Sequence, residues 1–439
     1  MRIFFGLGWM LFCFAAVGQN ATVGRNAVDS RGAAMDRRAA VGQTYTLFVG
    51  TYTNTGSTTE AAPKDSTGSK GIYVYRWDAG TGHATLLSHT EGVVNPSFLA
   101  PGPGGKVVYA ATDTRTLHAG SVSAFAFDRT TGRLRLIDKV PSGGDNPVYV
   151  SVYPRGGWVA VANYTGGSLS VFPIRADGGL EPYRQNIQHT GHGVNPVRQE
   201  KAHVHSVAYT PDGRYLYAQD LGLDRIGIYR WDGGKELPLS GGKMGDRTSG
   251  DGETRNSAGK MVDSAGDGFV TVTPGAGPRH LDFHPDGRYV YLLEEMGGSV
   301  DVYRYHPESG GLDSLQRIAT HEPGAKGPFR SADIHVSADG RFLYVSNRES
   351  ESNITILAID PGTGMLKTVG YQPVFGKEPR NLLLDPSGKW LLVANQESNA
   401  VVIFRIDGKT GLLRPTGEKL EVPAPTCLKM IGGDREGGR

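Results

Sequence analysis

Seven times along this chain the same short phrase returns: a turn-started apolar strand, a turn of the Pro-Asp-Gly-Arg kind, then a Tyr/Val-rich strand ending in polar residues. The phrases begin at Asn95-Pro-Ser-Phe-Leu, Asn146-Pro-Val-Tyr-Val, His203-Val-His-Ser-Val, Gly277-Pro-Arg-His-Leu, Ser331-Ala-Asp-Ile-His, Glu378-Pro-Arg-Asn-Leu and Ala424-Pro-Thr-Cys-Leu. A recurrence every 45 to 60 residues or so, carried by strands alone, is how a blade array is written in sequence.

Each full repeat holds four β signals of alternating or β-branched character, separated by Gly, Pro, Asp and Asn turns. In the repeat from Pro278 these predict strands over Arg279–His284, Arg288–Leu293, Ser299–Tyr305 and Leu312–Ala319. Pro211-Asp-Gly-Arg, Pro285-Asp-Gly-Arg, Ala338-Asp-Gly-Arg and Pro386-Ser-Gly-Lys each place Gly where a hairpin demands positive φ. A second recurrent turn, as in Asp128-Arg-Thr-Thr-Gly-Arg-Leu and Asp360-Pro-Gly-Thr-Gly-Met-Leu, joins the third and fourth strands. The 63 glycines are accounted for by these turns, and helical periodicity is absent.

The chain ends determine the blade count. Thr46-Leu-Phe-Val-Gly-Thr-Tyr-Thr matches Val159-Ala-Val-Ala-Asn-Tyr-Thr, a second strand with no first strand before it. The last phrase, Ala424 to Ile431, is a first strand with nothing after it. Together they make one blade, which predicts an all-β, seven-bladed propeller of four-stranded antiparallel blades, its last blade closed by N- and C-terminal strands so that no edge is left at the seam.

Arg2 followed by the apolar run Ile3 to Val17, with Ala16-Val17-Gly18 as a small-x-small cleavage pattern, reads as a secretory signal peptide. The run is short of the roughly 20 residues a membrane span needs, and Phe12 is too bulky for the residue before a lipidated Cys13. The expected division is a signal peptide over 1–18, a disordered leader over 19–43, the propeller over 44–431 and a flexible tail over 432–439. Surface insertions are expected at 54–69 and 239–267, both poor in aliphatic residues. Periplasmic or secreted protein without membrane attachment after cleavage follows. Loss of Cys13 would leave Cys427 alone, so no intramolecular disulfide can form. A net charge of +2 with no Lys/Arg run gives nucleic acid no support as a partner.

In a propeller the first strand of each blade lines the channel and the second runs back beside it, so the start of one and the end of the other open on one rim. Aligned on their turns, the repeats give a first-strand column of Ser97, Val148, His205, Arg279, Ala332, Arg380 and Thr426. The second-strand column is Thr51, Thr112, Asn163, Asp220, Glu294, Asn347 and Asn395, followed by Tyr52, Asp113, Tyr164, Leu221, Glu295, Arg348 and Gln396. The opposite rim is monotonous, and variation confined to one rim marks it as the functional face. Asn163, Asn347 and Asn395 also suit bonds to their own turns. Arg279, Arg348 and Arg380, converging on one opening with His203, His205, His280, His335, Glu294 and Glu295, suit an anionic ligand, since guanidinium forks bind carboxylate or phosphate oxygens bidentately. His203-x-His205 could present two imidazoles to a cation, but no carboxylate or Cys pattern completes a shell. No metal or other cofactor is expected. A Ser206/His/Asp220 triad lacks a nucleophile elbow.

At these residues the chain resembles the seven-bladed propeller lactonase family, which includes bacterial 6-phosphogluconolactonases of the propeller type and, as relatives, fungal carboxymuconate cyclases. Val49-Gly-Thr-Tyr-Thr, Asn95-Pro-Ser-Phe-Leu, Val161-Ala-Asn-Tyr-Thr-Gly-Gly-Ser, His203-Val-His-Ser, Gly277-Pro-Arg-His, Ala332-Asp-Ile-His-Val-Ser, Val345-Ser-Asn-Arg and Val393-Ala-Asn-Gln match family phrases in order, over Phe48 to Ile431. The resemblance implies lactone hydrolysis, a carboxylic ester hydrolase activity, with His205, Arg279, Glu295 and Arg348 as the working set. The family's Glu follows an Asn where this chain has Glu294, which leaves either carboxylate as the one in use.

Opening a lactone needs a base for water, a donor for the oxyanion and an acid for the departing alkoxide. His205 or Glu295 could serve as base and Arg279 as oxyanion donor. Arg348 and Arg380 would hold a substrate carboxylate or phosphate, and Asn347, Asn395 and Gln396 sugar hydroxyls. His203, Asn163, Asp220, His280, Glu294 and His335 complete the expected binding set. A phosphorylated sugar lactone belongs to the cytoplasm whereas Arg2 to Gly18 argue for export, so the expected substrate is a sugar-derived or carboxylated lactone. Two other readings use the same rim: a non-catalytic propeller that binds a glycan or protein, and a lactonising cyclase or isomerase.

Overall fold

A computed structural model describes residues 43–54, 67–112, 117–233, 268–349 and 351–432. The expected signal peptide, the leader up to its last residue, the tail after its first and most of both insertions lie outside them; Gly432, expected to begin the tail, ends the closing strand Pro425–Gly432.

Seven four-stranded antiparallel sheets form a ring. Six are consecutive in sequence, with channel-side strands Pro96–Pro101, Pro147–Val152, Val204–Tyr209, Pro278–Phe283, Ser331–Val336 and Pro379–Leu384, here called blades one to six. The seventh is composite: Thr44–Thr51 pairs on one side with Pro425–Gly432 and on the other with Ile72–Asp78. Each channel-side strand packs on the next, and Pro425–Gly432 packs on both Pro379–Leu384 and Pro96–Pro101, which closes the circle. The predicted strands of the fourth blade are found within a residue or so, at Pro278–Phe283, Tyr289–Glu294, Ser299–His306 and Gly311–Ala319. Among the described residues the only helical elements are two three-residue 3₁₀ turns.

Because both faces of every sheet are covered, the second strands read as nearly unbroken apolar runs, Tyr289–Glu294 being buried at all six positions. Apolar slabs lie between neighbouring blades: Tyr217, Ile228, Phe283, Val290 and Leu292 between blades three and four, and Tyr291, Leu293, Ile334, Leu343 and Val345 between four and five.

The recurrent Tyr explains itself here, since its hydroxyl donates to the outer turn of the next blade. Tyr217 reaches the carbonyl of Gly310 at 2.5 Å, Tyr291 that of Gly364 at 2.9 Å and Tyr344 that of Gly411 at 2.9 Å. Gly364 has φ of +74° and the Tyr289 ring lies 2.5 Å from where a Cβ would stand, so conformation and space both exclude a side chain. These bonds tie the second strand of one blade to the outer turn of the next.

Candidate active site

The ladder between first and second strands slips by one residue at the same place in every blade. Pro278 pairs with Glu294 but His280 with Leu293, which leaves Arg279 as the extra residue. The extra residue is Ser97 in blade one, Val148 in two, His205 in three, Arg380 in six and Thr426 in seven; in blade five the slip falls across Ala332 and Asp333. A bulge frees one side chain from alternation and re-aims it. Seven bulges at one level therefore present seven side chains to the axis, which is the first-strand column of the sequence. Five of the bulges follow a residue of positive φ just before the strand's Pro: Asn95, Asn146, Gly277, Glu378 and Ala424. Asn and Gly adopt that conformation readily.

Above the bulges opens a cavity of about 290 Å³, lined by His205, Arg279, Glu295, Arg348, Arg380 and Gln396 together with Tyr52, Asn146, Val148, Tyr164, Arg198, Arg330, Glu378 and Glu397. Glu295 stands at its centre. Its Oε1 accepts from Arg198 Nη2 at 2.6 Å, and its Oε2 accepts from Arg279 Nε at 2.9 Å and pairs with Arg348 Nη2 at 3.2 Å. His205 Nε2 faces the same Oε2 at 3.7 Å. All four expected working residues thus meet around one carboxylate, nearly closed to solvent.

The electrostatics follow from crowding. Burial works to raise the Glu295 carboxyl, but Arg348, Arg279, His205 and Arg198 together hold it well below the usual range. Burial, with Arg279 as the next cause, drives His205 well below an ordinary imidazole, against the pull of Glu295. Burial lowers Arg279 also, and with the help of Arg279 and Arg380 it pushes Arg348 down to about 9, which leaves it charged at neutral pH. Five guanidiniums face three carboxylates in the lining, so the cavity favours an anion.

Of the remaining expected residues, the mouth takes Arg380, whose Nη2 donates to Tyr52 Oη at 2.8 Å, and the half-buried Gln396. It does not take Asn163, Asp220, Glu294, Asn347 or Asn395. These point away from the mouth, and for Asn163, Asn347 and Asn395 this is the alternative reading of turn bonding. Asn347 Nδ2 donates to the Thr320 carbonyl at 2.7 Å, to Asn353 at 2.9 Å and to Thr355 at 3.0 Å. Asn163 Nδ2 lies 3.2 Å from Ser168 Oγ, and Asn395 Nδ2 bonds the Val374 carbonyl at 3.0 Å. Asp220 Oδ1 accepts from the amides of His203, Gly222 and Leu223, and its Oδ2 lies 2.7 Å from His189. Glu294 Oε2 accepts from Ser299 at 2.6 Å and pairs with Arg317 at 2.5 Å; burial and the neighbouring Asp301 push its carboxyl up to about 9. Of these two adjacent carboxylates, Glu295 is therefore the one that lines the cavity.

The other three histidines also lie off the mouth. His203 stacks on Tyr164 at 4.5 Å and reaches Glu200 at 3.1 Å. His280 sits deeper, bonded to Asp333 at 2.8 Å, and His335 bonds the other oxygen of Asp333 at 3.0 Å. Burial and Arg279 push His280 down to about 3.

Arg198, Arg330 and Glu378 line the mouth without having been singled out in the sequence, and Tyr52 and Tyr164, placed at the rim by the second-strand column, line it without having been given a role. Arg198 lies between repeats, on a loop held by Asn195, whose Oδ1 accepts from the amides of Val197 and Arg198, and by the buried Gln199, whose Nε2 donates to the Leu221 carbonyl at 2.9 Å. Glu378 did carry a signal: it fills with φ of +55° a place that Asn or Gly takes in three other repeats, and strain of that kind collects at working sites. Its Oε1 accepts from the Glu349 amide at 3.1 Å, and Oε2 lies 3.8 Å from Arg348.

Comparison with known proteins matches the family profile Lactonase, 7-bladed beta-propeller, over residues 46–253 and 255–430. The chain is 35% identical to a 6-phosphogluconolactonase of Formosa agariphila, over 88% of this chain and 99% of that one. It is 30% identical to the Bacillus subtilis 6-phosphogluconolactonase, over 88% and 98%. Among solved structures, the periplasmic gluconolactonase of Pseudomonas aeruginosa superposes with a TM-score of 0.74 at 33% identity, covering 89% of this chain and 99% of that one.

Proposed function

From the membership of this chain in the seven-bladed β-propeller lactonase family, to which it belongs, we propose that it opens an anionic sugar-derived lactone by hydrolysis in the arginine-lined mouth. The gathering of Arg198, Arg279, Arg348 and His205 around the single carboxylate of Glu295 supports this reading most.

The chemistry divides among these groups. Glu295, engaged by three guanidiniums, is a poor proton acceptor, and its work is to organise the cations and to stabilise positive charge beside it. His205, neutral at pH 7 because burial and Arg279 disfavour its charged form, is the base that takes a proton from water. The imidazolium so formed faces Glu295 Oε2 and later protonates the ring oxygen as the acyl–oxygen bond breaks, the acid–base sequence general to such reactions. Arg279 and Arg348 supply fixed positive charge where the carbonyl oxygen turns anionic. Arg380 and Arg330, both only partly buried, hold the substrate's carboxylate or phosphate.

The apolar run Ile3 to Val17 supports export, as does a relative named periplasmic; the proposed setting is periplasmic or extracellular, with a sugar or carboxylated lactone as substrate. A pH-stat assay decides the activity: acid release from δ-gluconolactone and from its 6-phosphate, each above its spontaneous rate. Release no faster than the blank with either lactone, and with a carboxylated one, would remove the proposal.

A further inference from the structure

Below the mouth, at the level of the bulges, the channel narrows to a second space of about 10 Å³, room for one water molecule. Val148, His205, Arg279 and Arg380 line both spaces, and Ser97, Phe98, His280, Asn381 and Thr426 line only the lower one. Two buried polar atoms among its lining residues have no hydrogen-bond partner, Ser97 Oγ and His205 Nδ1. A buried polar atom left unpaired is costly, and a bound water is the usual remedy where room exists.

The position of His205 makes this pair significant. Its Nε2 faces Glu295 Oε2 at 3.7 Å, and a carboxylate on that side favours the neutral tautomer with hydrogen on Nε2, which leaves Nδ1 as the basic lone pair. Ser97 is the bulge residue of blade one, freed from its ladder and set beside the axis. Its carbonyl accepts from Thr426 Oγ1 at 3.0 Å, which ties this part of blade one to the closing blade.

Resting on the lactonase reading above, we infer that this mid-channel space seats the hydrolytic water, that Ser97 is the residue which positions it, and that His205 reacts through Nδ1. The water gives one hydrogen to Nδ1 and is held by the Ser97 hydroxyl, with a lone pair toward a lactone lying in the mouth above. As its oxygen bonds to the carbonyl carbon, its proton moves to Nδ1 and the carbonyl π pair moves to the oxygen facing the arginines. Collapse of that oxyanion re-forms the carbonyl and expels the ring oxygen, which takes the proton from the imidazolium. The product is the open-chain hydroxy acid, whose carboxyl proton leaves to solvent. Substrate thus enters from the arginine side while its nucleophile waits on the other, and the two do not compete for space.

The test is substitution at Ser97 with kinetics on the full chain. Ser97→Val fills the seat and is expected to lower kcat at least about ten-fold with KM changed by less than about two-fold, the signature of a lost transition-state contact. Ser97→Ala empties one side of the seat without filling it and is expected to lower kcat about three-fold, with the melting temperature kept. Wild-type kcat in Ser97→Val, or a fall in both variants that appears only in KM, would overturn the seat. Were Ser97→Val to fail to fold, Ser97→Ala and a crystal structure of the unaltered protein decide: a water within hydrogen-bond distance of both Ser97 Oγ and His205 Nδ1 is the expected result, and density without one overturns it. That crystallographic outcome is independent of turnover, so an inactive wild type would count against the lactonase reading and leave the seat to be judged by its water.

Discussion

Arg279 and Glu295 meet at 2.9 Å because the ladder that carries one of them is broken: a bulge throws Arg279 out of register, and Glu295 stands one residue beyond the end of the strand opposite. The pair is buried on both sides and shares its carboxylate with Arg198 and Arg348. Removing the anion leaves clustered cations facing one another in a site of low dielectric. Removing one cation costs less, because two remain.

The asymmetry sets the first expectation. Arg279→Ala should lower kcat/KM about 10² to 10³-fold, the usual effect of deleting one donor from an oxyanion site, while the blades hold. Glu295→Ala should abolish turnover and also destabilise the fold by roughly 3 to 5 kcal/mol, as for a buried ion pair broken from one side. Urea unfolding measured beside the pH-stat assay separates the two. Equal stability in both variants would contradict the organising role of the carboxylate.

The acid limb of the pH–rate profile is the second. A base must be unprotonated, and His205 is held well below its ordinary 6.5 by burial, then by Arg279. Activity should therefore persist below pH 6.5 and fall only as the medium becomes acid enough to protonate the buried ring. A kcat/KM profile on a lactone of low spontaneous rate checks this. An acid limb centred at or above 6.5 would assign the base elsewhere.

Glu294 offers a measurement on stability. Burial and Asp301 raise its carboxyl to about 9, above the value near 4.5 it regains on unfolding. The folded chain then binds more protons than the unfolded one between those limits, so this group's effect is to lower stability as pH rises through that window. Glu294→Gln cannot lose a proton and can still donate to a neighbouring carboxylate. Its melting temperature should be near wild type at about pH 4, where wild-type Glu294 is largely protonated in both states, and exceed it by a margin that widens to several degrees by about pH 9. A gap that stays constant with pH would refute the protonated state.

Much of this was legible in the sequence. The blade count followed from two half-repeats that only make sense joined, and the strand bounds from Gly-bearing turns. The first-strand column placed His205, Arg279 and Arg380 at the axis because alignment on the turns preserves register whether or not a bulge intervenes. The second-strand column was polar for another reason: Asn163, Asn347 and Asn395 bond their own blades, and the residue after each faces the mouth. Polarity marks both roles equally, and only the backbone separates them. Arg198 was invisible because it belongs to no repeat, and no alignment of blades gives it a partner.

The polar column carries a last expectation, which separates architecture from binding. Asn347 is buried, its amide donates to Thr320, Asn353 and Thr355, and its oxygen accepts from Ser331 at 2.9 Å. Asn347→Ala leaves several of these groups unsatisfied and should cost about 2 to 4 kcal/mol of stability. The neighbouring Arg348 would still be held by Glu295, so the folded fraction should keep its KM within about two-fold. Arg380→Ala should do the reverse, leaving stability within about 0.5 kcal/mol and raising KM roughly ten-fold for a phosphorylated or carboxylated lactone, with a neutral lactone little affected. Should Asn347→Ala raise KM while the protein stays as stable as wild type, the side chain binds substrate and the division drawn between the two columns fails.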